Sequence, residues 1–144
     1  MVFFLTGFMT GIASSKDPVD LSTYQWKNRV LLLFASSEED PFYQDLKGQV
    51  EGQRPGIADR DVIIIPVLEK GRSQLGKSTL TPDQSSFLRE RFRVGAGRLI
   101  TVLIGKDGGV KLKKEEPIKL ADIFSLIDAM PMRQREMQEG LKKP

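Results

Sequence analysis

Arg98-Leu-Ile-Thr-Val-Leu-Ile-Gly-Lys-Asp-Gly-Gly-Val-Lys-Leu112 is the stretch that decides the fold. Its first half is an unbroken apolar run rich in β-branched residues, which fits a strand buried on both faces. Lys106-Asp107-Gly108-Gly109 then supplies residues that accept positive φ, so the chain can reverse direction there. The stretch therefore predicts a β-hairpin whose first strand is buried on both faces.

Two further apolar runs lie upstream of this hairpin. Arg29-Val-Leu-Leu-Leu-Phe-Ala35 contains five consecutive large apolar residues and predicts a central strand. Val62-Ile-Ile-Ile-Pro-Val-Leu68 predicts a second strand, and Pro66 places it at a sheet edge because proline has no amide for the ladder. Tyr24 and Trp26 are expected to anchor the sheet rather than to form an aromatic ligand platform.

Helices are predicted between and after the strands. The first has its N-cap at Ser37 or Asp40, the second begins with a capping box at Thr81-Pro-Asp-Gln84, and the third begins near Pro117. A further polar helix is expected from Pro131 to Glu139. The apolar faces of the first three are expected to be Phe42, Tyr43, Leu46 and Val50, then Phe87, Leu88 and Phe92, then Leu120, Ile123, Phe124 and Ile127.

The resulting order, β-α-β-α-β-β-α, defines the fold class. Strands that alternate with helices require a parallel pair, and the hairpin adds an antiparallel neighbour. This order predicts an α/β, thioredoxin-like three-layer sandwich, with a mixed four-stranded sheet and helices on both faces. The chain has 144 residues, which favours one domain, expected over residues 21–139 with a frayed tail at 140–144.

Residues 1–15 form an apolar segment of signal-peptide length that is too short to span a bilayer. Small residues near its end suit a cleavage site, whereas no basic residue precedes it. A possible signal peptide predicts a secreted or periplasmic protein. The alternative is an apolar N-terminal segment of the domain itself, with the protein otherwise cytoplasmic.

The composition removes most common enzyme mechanisms. The chain contains no cysteine and no histidine, so thiol oxidoreductase activity, disulfides and imidazole catalysis are excluded. The net charge of +3 does not by itself indicate a nucleic acid or membrane partner. We therefore predict no catalytic residues, no cofactor and no metal. Glu38, Glu39, Asp40 and Asp45 have the carboxylates that calcium prefers, but helix capping explains the first three without an ion.

Several segments between Leu21 and Met137 together resemble one uncharacterised family, the domain of unknown function 4174 family. They are Tyr24-Gln-Trp-Lys-Asn-Arg-Val-Leu-Leu-Leu-Phe-Ala35, Asp40-Pro-Phe-Tyr-Gln44, Asp59-Arg-Asp61, Arg89-Glu-Arg-Phe92, Ile104-Gly-Lys-Asp-Gly-Gly-Val-Lys111 and Leu126-Ile-Asp-Ala-Met-Pro-Met132. This family includes small exported bacterial proteins and extracellular proteins of the sushi-repeat and coiled-coil-domain-containing types. The resemblance implies a thioredoxin-like fold and an extracytoplasmic setting, without an assigned activity.

Gly71-Arg-Ser-Gln-Leu-Gly-Lys-Ser78 matches the phosphate-binding P-loop pattern. In such a loop Gly71 and Gly76 would let the backbone wrap the phosphates, Lys77 would neutralise them and Ser78 would hold magnesium. Pro82 would interrupt a helix that began at Lys77, so a polar loop with coincident letters is the favoured interpretation. Phosphate or nucleotide binding stays as an alternative function.

Basic residues cluster between positions 89 and 114, where they outnumber Glu90 and Asp107. They are Arg89, Arg91, Arg93, Arg98, Lys106, Lys111, Lys113 and Lys114. Such a patch would attract a polyanion, for example a sulfated polysaccharide, and nucleic acid is disfavoured because no exposed aromatic residues are expected among the arginines. The structural alternative is a solvated face whose charges are balanced by acidic neighbours elsewhere.

Asp59 and Asp61, with Arg60 between them, are expected to form a solvated turn rather than a carboxylate dyad.

The leading functional hypothesis is a non-catalytic, exported thioredoxin-like domain that acts as a binding or structural module. Its partner would be a protein or an anionic polysaccharide.

Overall fold

The computed structural model describes residues 19–71, 75 and 80–142. Four strands form one mixed sheet: β1 (Arg29–Ala35), β2 (Val62–Leu68), β3 (Ile100–Ile104) and β4 (Val110–Lys114). The helices are a 3-10 helix (Leu21–Tyr24), α1 (Pro41–Gly52), α2 (Arg54–Asp59), α3 (Pro82–Arg91), α4 (Leu120–Asp128) and α5 (Pro131–Lys142).

The sheet has the order β2-β1-β3-β4, so β1 is a central strand and β2 and β4 are the two edges. β1 pairs parallel to β2 and antiparallel to β3, and β3 pairs antiparallel to β4. All seven residues of β1 and all five of β3 are buried. The predicted hairpin and central strand are confirmed, as is the edge position that Pro66 implied.

Helices cover both faces of the sheet and form two separate apolar cores. On one face Leu31 and Leu33 of β1 pack among residues of α1, α2 and α4. On the other face Leu32 and Phe34 pack against residues of α3 and the 3-10 helix. This arrangement confirms the α/β, thioredoxin-like sandwich. Successive side chains of a strand point to opposite faces of the sheet, so the residues of β1 contribute alternately to the two cores.

One additional helix and two helix boundaries differ from the sequence prediction. α2 was not predicted, because Pro55 and Gly56 are typical loop residues; here Pro55 lies in the first turn, where an amide donor has no intrahelical partner. α4 begins at Leu120 rather than near Pro117. α5 continues to Lys142, beyond the expected end at Glu139.

Three aromatic residues were wrongly predicted to be buried. Trp26 is 65% exposed, since its positive φ of 68° and the bond from its amide to the Lys106 carbonyl at 2.6 Å hold it in a turn outside the sheet. Phe42 and Phe87 are also exposed, and the buried positions of their helices are Tyr43, Leu46 and Val50 in α1, and Ser85 and Leu88 in α3.

The double burial of β1 predicts that a cavity in this strand is costly. Leu32→Ala removes a fully buried side chain, so we expect the free energy of unfolding to fall by about 3 kcal/mol. Urea denaturation followed by circular dichroism measures this loss. Leu141→Ala, the same substitution at an exposed position of α5, should change it by less than about 0.5 kcal/mol, and equal losses would contradict the assigned core.

Candidate functional site

The corner after β1, residues 36–41, is where redox-active thioredoxins carry their paired cysteines. Here it reads Ser-Ser-Glu-Glu-Asp-Pro, and its polar side chains serve local structure. Asp40 is the N-cap of α1: its Oδ1 accepts from the Phe42 amide at 2.9 Å and the Tyr43 amide at 3.2 Å. Glu38 lies 3.6 Å from the Lys47 ammonium. The corner is therefore a helix start rather than a reactive centre.

Two further kinds of site are not seen in the part of the chain that the structure describes. No group of three carboxylates or other metal-ligating side chains lies close enough to hold an ion, including the acidic residues near the start of α1. Within the same residues, none of the helices has the length and apolar character needed to cross a membrane.

The opposite end of the sheet holds a network of charged side chains, which we call the ion-pair end. Its members are the cations Arg29, Arg60, Lys106 and Arg133 and the carboxylates Asp59, Asp61, Asp128 and Glu136. They come from the start of β1, the end of α2 and the turn that follows it, the β3–β4 turn, and from α4 and α5. The four positive and four negative charges balance.

Glu136 is the centre of this network. Its carboxylate lies 3.2 Å from Arg29 Nη1 and 2.7 Å from Lys106 Nζ. Arg29 is 1% exposed and also donates to the Arg60 carbonyl at 2.8 Å, while Lys106 reaches Asp61 at 2.8 Å. One carboxylate on α5 thus pairs with the buried Arg29 and the partly buried Lys106, and it attaches α5 to the start of β1 and to the β3–β4 turn.

Arg133 makes the second connection between α5 and the rest of the fold. It contacts Asp59 at 2.6 Å and Asp128 at 3.0 Å, and its side chain is almost completely buried. Asp128 is shared with Arg60, whose guanidinium lies 2.8 Å from it and 4.0 Å from the centre of the Phe124 ring. These contacts link α2, α4 and α5 through charge-assisted hydrogen bonds.

Two carboxyl groups of this network, those of Glu136 and Asp128, have pKa values below their ordinary ones. Burial alone would raise the pKa of Glu136, but hydrogen bonds from Lys106 and Arg29 outweigh it and lower the pKa below its ordinary value. The pKa of Asp128 is lowered in the same way, since the bonds from Arg60 and Arg133 outweigh the effect of burial.

Asp59-Arg60-Asp61 leads through the turn between α2 and β2 with both aspartates exposed, as predicted, but its side chains do not interact with solvent alone. Each of the three side chains instead has a partner distant in sequence: Arg133, Asp128 and Lys106, respectively. Sequence periodicity carries no information about pairs separated by 45 to 74 positions. The available signal was a charged residue, Arg29, at the head of a strand that had to be buried.

Part of the predicted basic patch lies together at the end of α3. We call it the α3 arginine surface; it consists of Arg89, Arg91, Arg93 and Lys113. Lys113 belongs here because its Nζ donates to the Phe92 carbonyl at 2.7 Å. No ion pair joins these four residues to a carboxylate among the residues described, although Glu90 lies beside them and the Asp20 carboxylate interacts electrostatically with Arg91.

The other four basic residues of the prediction lie elsewhere. Arg98 pairs with Glu115, Lys106 belongs to the ion-pair end, and Lys111 contacts Asp107 at 2.8 Å. Lys114 pairs with Thr101 of β3 and therefore faces the opposite side of the sheet from Lys113. The structure thus places four of the eight residues near the C-terminal end of α3.

The predicted phosphate loop lies mostly outside the described residues. This applies to Gly76, Lys77 and Ser78, as it does to residues 1–15, whereas Gly71 is described and has a positive φ of 78°. α3 begins at Pro82, with a reciprocal capping box between Thr81 and Gln84. Phosphate binding at this loop stays a prediction.

Comparison with known proteins shows the family to which the chain belongs. The family described as Domain of unknown function (DUF4174) matches residues 20–136, which is most of the chain. The chain belongs to this family. The match confirms the resemblance found in the sequence, and it includes all eight members of the ion-pair end.

Individual similar proteins are distant. The chain is 26% identical over 133 residues to coiled-coil domain-containing protein 80 of Danio rerio, covering 81% of this chain and 15% of that protein. It is 24% identical over 116 residues to sushi repeat-containing protein SRPX2 of Xenopus laevis, covering 78% of this chain and 25% of that protein. The chain therefore spans a quarter or less of these relatives.

A solved structure shows the fold. The reduced 2-Cys peroxiredoxin of Plasmodium vivax superposes with a TM-score of 0.63 at 19% identity, covering 81% of this chain and 85% of that one. At this level of identity the likeness concerns the thioredoxin-like fold alone.

The ion-pair end predicts a large effect of one neutral substitution. Glu136→Gln leaves Arg29 and Lys106 buried without their shared carboxylate, so we expect the free energy of unfolding to fall by about 3 kcal/mol. Urea denaturation at pH 7 measures the loss. Glu115→Gln removes the exposed pair with Arg98 and should cost less than about 1 kcal/mol. Similar losses in the two variants would contradict the structural role of Glu136.

The lowered pKa values predict acid sensitivity. As the pH falls below about 4.3, the unfolded chain takes up protons at these carboxyl groups while the folded chain does not, so stability is lost through the folded-state pKa values. Unfolding free energies measured from pH 7 to pH 3 should therefore decline in acid. The decline should be smaller in Glu136→Gln, and an unchanged decline would show that Glu136 does not contribute.

Proposed function

We propose that this chain is a non-catalytic thioredoxin-like module that binds a polyanion, such as a sulfated polysaccharide, through the α3 arginine surface. The observation that carries the proposal is the clustering of Arg89, Arg91, Arg93 and Lys113 near the end of α3, where none of them forms an ion pair among the described residues, although the Asp20 carboxylate attracts Arg91. An excess of cations in one region of a surface attracts multivalent anions at long range.

The local geometry leaves Arg91 and Arg93 exposed, whereas Arg89 is partly buried and donates to the Ser86 hydroxyl. Arg91 stacks on the Phe92 ring at 5.3 Å from its centre, and this contact limits the motion of the guanidinium. Arg89 and Arg93 line an open depression of roughly 450 Å³ together with Glu90. The net charge of these three lining side chains is positive. The depression is wide and open, which suits an extended ligand better than a small enclosed one.

Helix electrostatics explains only part of this arrangement. Basic side chains near a helix C-terminus are favoured by the helix dipole, which is sufficient reason for Arg89 and Arg91 in the last turn of α3. Arg93 lies beyond the helix with a φ of 56°, a conformation that glycine adopts at lower cost. An arginine at a position that favours glycine supports a role for its side chain in binding.

The side chains available in this chain support a non-catalytic role. The chain has no cysteine, and the corner after β1 uses Asp40 to cap α1. Without a thiol, neither disulfide exchange nor thiol-based peroxide reduction can proceed in this chain.

An extracytoplasmic location is part of the same proposal. It is supported by the apolar residues 1–15 and by similarity to a sushi repeat-containing protein. Sulfated polysaccharides would be accessible to a protein in that location.

Heparin affinity chromatography tests the proposal. The wild-type chain should bind at low ionic strength and elute with salt, because the interaction rests on screened surface charges. Arg91→Gln combined with Arg93→Gly should weaken binding roughly fivefold or more. Arg93→Gly alone should not lower the free energy of unfolding, since glycine relieves the positive φ.

Arg135→Gln is the matched control, because it removes one arginine from an exposed position of α5 distant from α3. Its elution should stay close to that of the wild-type chain. Wild-type protein in the wash, or an equal shift in Arg135→Gln and the α3 variants, would overturn the proposal.

A further inference from the structure

A cleft of roughly 250 Å³ lies between the β3–β4 turn and the start of α5. We call it the hairpin cleft. It opens beside the ion-pair end and is separate from the α3 arginine surface, with which it shares no lining residue. Its size is below that of pockets for drug-sized molecules, so an occupant would be small.

The charged lining of the hairpin cleft is mostly positive. Arg29, Lys106, Lys111 and Arg135 contribute cationic side chains, whereas Asp107 is the carboxylate among the described lining residues. Lys106 and Lys111 already have carboxylate partners. Arg135 is exposed and has no ion pair among the residues described, so its guanidinium is available at the rim.

Arg29 gives the cleft a buried donor at its inner end. This side chain is 1% exposed, and its Nε has no hydrogen-bond acceptor within the described part of the chain. Its two Nη atoms reach Glu136 at 3.2 and 3.3 Å, but Lys106 competes for the same carboxylate. Buried donors are almost always satisfied in folded proteins, so Arg29 Nε is a hydrogen-bond donor still without an acceptor among the described residues.

The remaining wall of the cleft is apolar. Met130, Pro131 and Met132 line it at the junction between α4 and α5. Methionine side chains are unbranched and polarisable, and they adapt to ligands of irregular shape. A cationic rim next to this apolar wall matches a molecule with an anionic group at one end and an apolar body at the other.

We propose that the hairpin cleft binds a small monocarboxylate with an apolar body. The carboxylate would meet the guanidinium of Arg135, because guanidinium groups present paired donors that match carboxylate oxygens. The body would lie against Met130 and Met132. This site is independent of polyanion binding, and either proposal can fail without the other.

Methyl NMR of the full chain labelled with ¹³C-methyl methionine tests this site. The probes are hexanoate, acetate, 1-hexanol and hexylamine at constant ionic strength. Hexanoate should shift the Met130 and Met132 signals saturably and leave Met137, which does not line the cleft, unchanged. Acetate and 1-hexanol each lack one recognised part and should bind at least about fivefold more weakly, and hexylamine should not bind at these residues.

Arg135→Gln should raise the dissociation constant for hexanoate roughly tenfold. Arg91→Gln, the matched change on α3, should leave it within about twofold, because distant sites act independently. The proposal is overturned if hexanoate gives no saturable shift up to tens of millimolar, if hexylamine or acetate binds equally well, or if both arginine variants behave alike. In the heparin assay Arg91 is the position tested and Arg135 is the control. In the hexanoate assay these roles are exchanged, so the two proposals are tested separately.

Discussion

Burial of β1 on both faces is the constraint on which the rest of the structure depends. A strand with no exposed residue needs a neighbour at each edge and a helical layer on each face, and the chain provides β2, β3, α1 with α4, and α3. The seven buried residues include Arg29, a cation at the first position. Burying this charge is unfavourable unless it is paired. The fold must therefore bring a carboxylate to that end of the sheet.

Glu136 meets this requirement from the last helix of the chain. Its carboxylate compensates Arg29 and Lys106, and Arg133 one turn earlier on α5 extends the same network to α2 and α4. α5 has few apolar residues facing the core, so charge-assisted bonds supply much of its attachment. At the other end of the sheet, Asp40 caps α1 in the corner that would hold a thiol in a redox enzyme. One end of the sheet thus holds the ion-pair network, and the other end holds the start of α1.

The strands and most helices could be predicted because their signals are local. Apolar runs identify β1 and β3, Pro66 identifies an edge, and Thr81 with Gln84 identifies the start of α3. The ion-pair end could not be predicted, since its pairs join residues separated by up to 107 positions. The basic cluster was visible in the sequence, but the assignment of Lys113 and Lys114 to opposite faces required the register of β4. Trp26 was misplaced because a positive φ at tryptophan has no local signature.

The attachment of α5 also fixes where an independently folding unit can end. A polypeptide that ended after Met130 would retain every strand, yet the buried Arg29 of β1 would lose the carboxylate of Glu136. The region shared with the family extends to residue 136, the position of that glutamate. The unit that neutralises Arg29 therefore extends past the last strand to Glu136.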